Sequence, residues 1–323
     1  MKKDKNKISQ SAQSVSSEKI NVTKEMFVSI KEGSLDAEAI KRPSLSYWKD
    51  AARRFTKNPI AIIATVLLAI IIIFAIFAPI LSPFTYDENN WAISNQSPSV
   101  EHPFGTDNLG RDLWVRCWEG ARVSLTIGVL VAFVNATIGI LYGGISGFVG
   151  KALDNVMMRI CEVVGAVPQM LWVTILVIIL RPGFMPIVIA LSATGWIGMA
   201  RLFRGQVFQI KELEFVMASK SLGTGSIWII FKHLVPNAMS PIITSMAFAI
   251  PGAIFAEAFL SYIGLGLPLP LASWGNLASN GANVFLTYPY QLIYPSLLIC
   301  VTMLCFTLIG DALRDALDPR MRT

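Results

Sequence analysis

The chain alternates long uncharged apolar runs with short polar stretches, and the runs have the lengths of membrane spans. Ile60 to Ile80 holds no charge, and at ~1.5 Å per helical residue it reaches the ~30 Å of a hydrocarbon core. Val123 to Val149 is likewise uncharged. Val163 to Leu180 and Phe184 to Ala200 follow, divided by Arg181-Pro182-Gly183, a sequence that stops one helix and starts another. Asn237 to Leu265 and Leu286 to Gly310 complete six expected spans. Pro168 is expected to kink the third, and Gly139, Gly143 and Gly147 share one face of the second, where another helix can approach closely.

The polar stretches divide the chain further. Residues 1–45 are too polar and Lys/Ser-rich to bury a core and read as a disordered cytoplasmic tail. Residues 46–121 form an N-terminal module: an interfacial helix from Tyr47 to Phe55, the first span, and a Pro- and Trp-containing external loop. Residues 122–311 form the core, interrupted by a charged cytoplasmic loop at 201–236, and 312–323 are a cytoplasmic tail. The linker from Gly266 to Phe285 is charge-free and suits the interface or the bundle mouth. The fold class predicted is therefore all-α and polytopic, with six transmembrane helices.

Charge then orients the chain. Of 27 Lys and Arg residues, 23 fall in segments 1–58, 150–160, 201–236 and 311–323. Arg111, Arg116, Arg122 and Arg181 are left for the other side, so the positive-inside rule predicts N-in, C-in. The net charge of +6 is thus an orientation signal, and no nucleic acid partner is expected. A composition of 54% hydrophobic and 15% charged residues argues against a soluble domain, and the first apolar run is too long for a signal peptide.

Candidate chemistry is sparse. Cys117, Cys161, Cys300 and Cys305 lack ligand or framework spacing and read as free thiols, while His102 and His233 have no ligand pattern around them, so no metal is expected. The phosphate-binding loop, H-E-x-x-H and nucleophile-elbow motifs are absent, and no catalytic residue is assigned.

The richest segment is the loop from Glu212 to Asn237. It reads as two short helices: good helix formers over 212–222, a left-handed position at Gly223, and Ser226 as a cap for the second helix. Leu213, Val216, Met217 and Leu222 make an apolar ridge. Two readings stand, a hairpin resting on lipid and a knob that docks a soluble subunit. In the external loop, Asp107 and Asp112 read as caps and Arg111 as a surface ion-pair partner. Glu162 and Glu257 lie near or in apolar spans and are expected to point into the bundle. Glu162 pairs with Arg159 or lines a path; Glu257 serves the cavity, a partner contact, or a buried hydrogen bond.

These residues carry a resemblance. Ala218, Gly223 and Pro236 match the EAA loop of ABC-importer permeases, with Met217 in place of Glu, Ser219 for the second Ala and Val235 for Leu. His102-Pro103-Phe104-Gly105-Thr106-Asp107, Gly110-Arg111-Asp112, Gly120-Ala121-Arg122, Asp154 to Arg159, Glu257 to Gly266, Ser273-Trp274-Gly275 and Gly310 to Arg320 are similar in order to the peptide and nickel branch, OppC/DppC type. The resemblance implies an importer permease of MetI-like architecture in a bacterial cell membrane, moving oligopeptides or dipeptides. It implies a second related permease, two ATP-binding subunits that hold ATP and magnesium, and an external peptide-binding protein. Glu214, Phe215, Ala218, Ser219, Lys220, Leu222, Gly223, Pro236 and Asn237 would couple to the ATPase. Gly105, Thr106, Asp107, Gly110, Arg111 and Asp112 would shape the outer mouth. A nickel importer, a self-contained secondary transporter and a membrane scaffold are the competing classes.

Overall fold

The computed structural model describes residues 47–318. The expected N-terminal tail and the last five residues lie outside that range. Among the described residues the regular structure is helical apart from one isolated bridge, Thr106 to Asp112.

Helix α1, Tyr47–Lys57, leads into α2, Pro59–Leu81, through Asn58, whose side chain accepts from the Ile60 and Ala61 amides. Such a cap, with proline at the first helical position, fixes where α2 starts. α2 buries Ala61, Ala64, Leu68, Ile71, Ala75 and Ala78, spaced alternately by three and four, and exposes its other isoleucines and its phenylalanines. That division suits a helix with one protein-facing stripe and lipid elsewhere.

The second apolar run becomes α3, Leu113–Val149, ten residues longer at its start than the expected span. Asp112 Oδ1 accepts the Val115 amide at 2.8 Å, so the helix begins at the cap and not at the first uncharged residue. α4, Lys151–Ala166, and α5, Gln169–Leu180, replace the expected single third span, because the chain bends by 79° at Val167–Pro168. Proline biases its predecessor toward extended backbone, and Val167 adopts it.

α6, Phe184–Ile210, runs ten residues past the expected Ala200. Then come α7, Glu214–Ser221, and α8, Ser226–Ile229, the latter continuing through a π-helical turn, Ile230–Leu234, and a short turn, Val235–Asn237. α9 is Met239–Tyr262; α10, Trp274–Asn283, forms within the charge-free linker; α11, Tyr290–Leu317, takes in half of the expected C-terminal tail. Among the described residues five helices, α2, α3, α6, α9 and α11, are each long and apolar enough to cross a membrane, with α4 and α5 a sixth only if the bent pair counts as one.

The glycine seam decides the packing. A Cβ on Gly139 would lie 2.5 Å from Met199 Cβ, one on Gly147 would lie 3.0 Å from Val207 Cβ, and one on Gly143 would meet the Ala200 backbone. So α3 and α6 run side by side in the same direction, and the seam is filled within this chain. The helix that the small-residue face admits is thus α6 of the same chain. α9 returns antiparallel, with Ile250 and Ile254 against Gly128. One cluster gathers Ile127, Val131, Val177, Leu191 and Leu260; a second gathers Ala136, Phe203, Val207, Ile229, Ile230 and Leu234 nearer the 211–238 end.

Candidate functional site

The 211–238 segment is an appendage with two unlike faces. Val216, Ile229, Ile230 and Leu234 turn inward onto Phe203, Val207 and Ile210 of α6, and a Cβ on Gly144 of α3 would meet Ile230 at 3.1 Å. Gly223 has φ +79°, the left-handed position read from the sequence, and closes α7 with its amide on the Lys220 carbonyl at 3.0 Å. Ser226 does not cap: the N-cap is Gly225 and Ser226 is the first helical residue.

The expected ridge is split. Val216 is buried, whereas Leu213, Phe215, Met217 and, at 86% exposure, Leu222 face outward, joined by Ile227, Trp228 and Phe231. Glu214, Ala218, Lys220, Pro236 and Asn237 are exposed too, and Ser219 is half-buried. Lys220 Nζ lies 5.9 Å from the Phe148 ring, and Asn237 Nδ2 donates to the His233 carbonyl at 2.6 Å, knitting the turn at Pro236. His233 sits between Phe215 and Trp228 at ring separations of 5.9 and 5.4 Å. The result is an apolar, lightly basic protrusion with a fixed base.

At the other end, residues 82–112 fold into a charged knot and not a solvated loop. Asp107 accepts the Leu109 and Arg111 amides at 2.9 and 3.0 Å and Arg111 Nε at 2.7 Å, with Arg116 Nε 3.7 Å away. Asp112 caps α3 with one oxygen and holds His102 Nδ1 at 2.7 Å with the other. Asp107, Arg111, Asp112, His102 and Arg116 are all buried, which overturns the surface ion-pair reading of Arg111. Arg111 and Asp107 are paired at hydrogen-bond distance, as buried charges require, whereas Arg116 makes its one hydrogen bond from Nη1 to the Tyr86 carbonyl at 2.6 Å and leaves Nε and Nη2 without partners. Gly105 and Gly110 have φ +75° and +71°, turns that side chains disfavour. Thr106 accepts from the Gln96 amide at 2.8 Å and donates to the Ile93 carbonyl, while its own carbonyl receives Gln291 Nε2 at 3.2 Å. A cavity of about 680 Å³ opens between this knot and the end of α2, lined by Phe74, Phe77, Trp114 and Asp112.

Glu257 is fully buried, and its carboxylate joins three helices. It accepts Ser124 Oγ of α3 at 3.0 Å and Ser261 Oγ of α9 at 2.8 Å, while the Trp274 amide of α10 donates to Ser124 at 3.3 Å and Trp274 Nε1 to the Cys117 carbonyl at 2.9 Å. Glu162 makes the pair with Arg159 that the spacing offered, at 2.8 Å, and at 56% exposure it lies outside the packed core of this chain, because α4 buries just Asp154 and Cys161 and Glu162 lies off that face.

Two polar contacts had no individual signal in the sequence. Arg122 Nε and Nη2 donate to the Ala75 and Ile76 carbonyls of α2, each at 2.5 Å. Asp154 receives Arg204 through two bonds of 2.5 Å and Ser146 Oγ at 2.6 Å.

Fold and site together define a polytopic helical membrane protein whose exposed chemistry is gathered in one end segment. Comparison with known proteins is specific. Residues 139–323 match the family described as binding-protein-dependent transport system inner membrane component, and residues 46–98 match the N-terminal TM domain of oligopeptide transport permease C. The chain is 48% identical over 302 residues to the oligopeptide transport system permease protein OppC of Bacillus subtilis, covering 94% of this chain and 99% of that protein. It is 45% identical to the dipeptide transport system permease protein DppC of the same organism, covering 93% and 94%. Among solved structures, a chain of the inward-facing MetNI methionine ABC transporter superposes with TM-score 0.50 at 14% identity, over 64% of this chain and 97% of that one, a likeness of fold. This chain belongs to the family of binding-protein-dependent transport system inner membrane components.

Proposed function

We propose that this chain is a peptide-translocating permease subunit of an ATP-binding-cassette importer, moving oligopeptides or dipeptides inward across the bacterial cytoplasmic membrane. It works beside a related permease, with two ATP-binding subunits that hold ATP and magnesium and an external peptide-binding protein that delivers cargo. The chain spans the membrane six times with both ends in the cytoplasm. Support for that count comes from the parallel course of α3 and α6, since α4 and α5 must carry the chain back between them. Support for the orientation comes from the 23 basic residues on the proposed inner side.

The observation that carries the reading is the two-faced 211–238 segment. Its buried face fastens it to α6, and its exposed row of Phe215, Met217, Leu222, Ile227 and Trp228 offers an ATP-binding subunit an apolar handle. An appendage that is rigidly based and sticky at its tip transmits displacement to the helix beneath it, and displacement of α6 and α3 opens or closes a passage. The residues Gly105 to Asp112 shape the outer mouth, held stiff by their buried charges.

The test is reconstitution in proteoliposomes with both kinds of partner subunit and the peptide-binding protein. Peptide should raise ATP turnover, and uptake should require nucleotide. Uptake by the chain alone without nucleotide would overturn the proposal in favour of a self-contained transporter.

A further inference from the structure

α4 is attached to the bundle mainly by polar bonds. Of its 16 residues only Asp154 and Cys161 are buried, and they lie on one face, two turns apart. Tyr142 of α3 donates its hydroxyl to the Met157 carbonyl at 2.8 Å. The firmest attachment is Asp154, which takes both arms of Arg204 at 2.5 Å and Ser146 Oγ at 2.6 Å.

Arg204 has a defined seat of its own. Its guanidinium lies 4.6 Å from the Phe208 ring, one turn along α6, and Lys211 Nζ lies 4.5 Å from the same ring while donating to the Gly147 carbonyl at 3.1 Å. Phe203 and Val207, which flank Arg204 on α6, are the residues on which Ile229, Ile230 and Leu234 rest. The helix turn that carries the 211–238 segment is therefore the turn that grips α4. Beyond α4 the chain breaks by 79° into α5.

A two-pronged guanidinium–carboxylate pair fixes direction as well as distance. An apolar contact on a helix that buries two side chains would let it slide. We propose that Asp154 and Arg204 are a positioning pair that ties α4, and the bend at Val167–Pro168, to the body bearing the 211–238 segment. Movement received at that segment then swings α4 and α5 as one lever. The inference rests on the coupling role proposed above.

The test uses the complete reconstituted complex. Asp154→Asn keeps the shape and loses the charge, and Arg204→Lys keeps the charge and loses the fork; Arg204 is 30% exposed, so the fold tolerates the second change. Basal ATP turnover should persist, while peptide taken up per ATP falls ~10-fold in Asp154→Asn and ~3-fold in Arg204→Lys. A second readout is the distance between spin labels at Val156→Cys and Gln209→Cys in a Cys300→Ser background. That distance should be single and narrow in the parent and broad in both variants. Parental uptake per ATP together with a parental distance distribution would overturn the pair alone. A parent complex that hydrolyses ATP with no response to peptide would overturn the transport reading, and this inference with it.

Discussion

Arg122 supplies to Ala75 the hydrogen bond that the α2 backbone withholds. Pro79 has no amide proton, so the carbonyl four residues earlier, Ala75, loses its helical donor, and Arg122 Nε fills the place at 2.5 Å. The second arm reaches Ile76, and Glu119 holds the guanidinium from behind at 2.9 Å. Arg122→Met should cost about 1.5–3 kcal/mol, the usual worth of charge-assisted bonds. Pro79→Ala, which restores the amide, should make the loss at Arg122 smaller; thermal unfolding of the four members of this cycle in lipid nanodiscs measures the coupling.

The glycine seam predicts a contrast within one helix pair. Gly143→Leu would drive a side chain into the Ala200 backbone and should separate α3 from α6 at a cost above about 3 kcal/mol, or prevent folding. Gly198→Ala on α6 meets nothing within 4 Å and should be neutral or stabilising by up to ~1 kcal/mol. Thermal midpoints of the purified variants separate the two outcomes.

Glu257 makes a third prediction. Glu257→Gln preserves an acceptor for Ser124 or Ser261 and should stay within about 1 kcal/mol of the parent, whereas Glu257→Leu strands two buried hydroxyls at about 1–3 kcal/mol each. Because Ser124 also receives the Trp274 amide, the leucine variant should loosen α10 first, read as faster hydrogen exchange over 274–283.

The tip proposed to dock an ATP-binding subunit can be weakened without touching its base. Phe215→Ala with Leu222→Ala removes exposed apolar groups, leaves Val216 and Ile229 packed, and should weaken association with the ATP-binding subunit by about 2 kcal/mol, roughly 30-fold in Kd. Titration of the subunit onto nanodisc-embedded permease gives the number. Unchanged affinity would remove this surface as the contact.

Position within the chain determined which of these features could be read in advance. Asp112 as a cap, Gly223 in the left-handed region and the break at Pro168 are local matters, decided by residues within one or two turns. The burial of Arg111 was not legible, since Asp107-x-x-x-Arg111 in a solvated loop and in a packed knot has the same spacing; the knot is a tertiary matter, and α11 joins it through Gln291, bonded to the Thr106 carbonyl. Where Glu162 faces was not legible for a related reason. Its place in an apolar stretch suggested the bundle interior, but the bend freed α4 from the packing that would have enclosed it.

By itself the sequence determined the helical class, the place of each apolar helix along the chain, the exposed two-helix segment before Asn237 and the family, because each depends on periodicity, turn residues and motifs along contiguous chain. Tertiary structure alone decided that α6 fills the α3 glycine seam, that Arg122 completes the α2 backbone 47 positions away, and that Arg204 grips Asp154 across 50. A helix with a small-residue face or an unmatched charge declares a need for a partner, and several partners would satisfy it equally. Which one does so is settled when the helices pack together, by the direction each runs and the depth at which each side chain comes to rest.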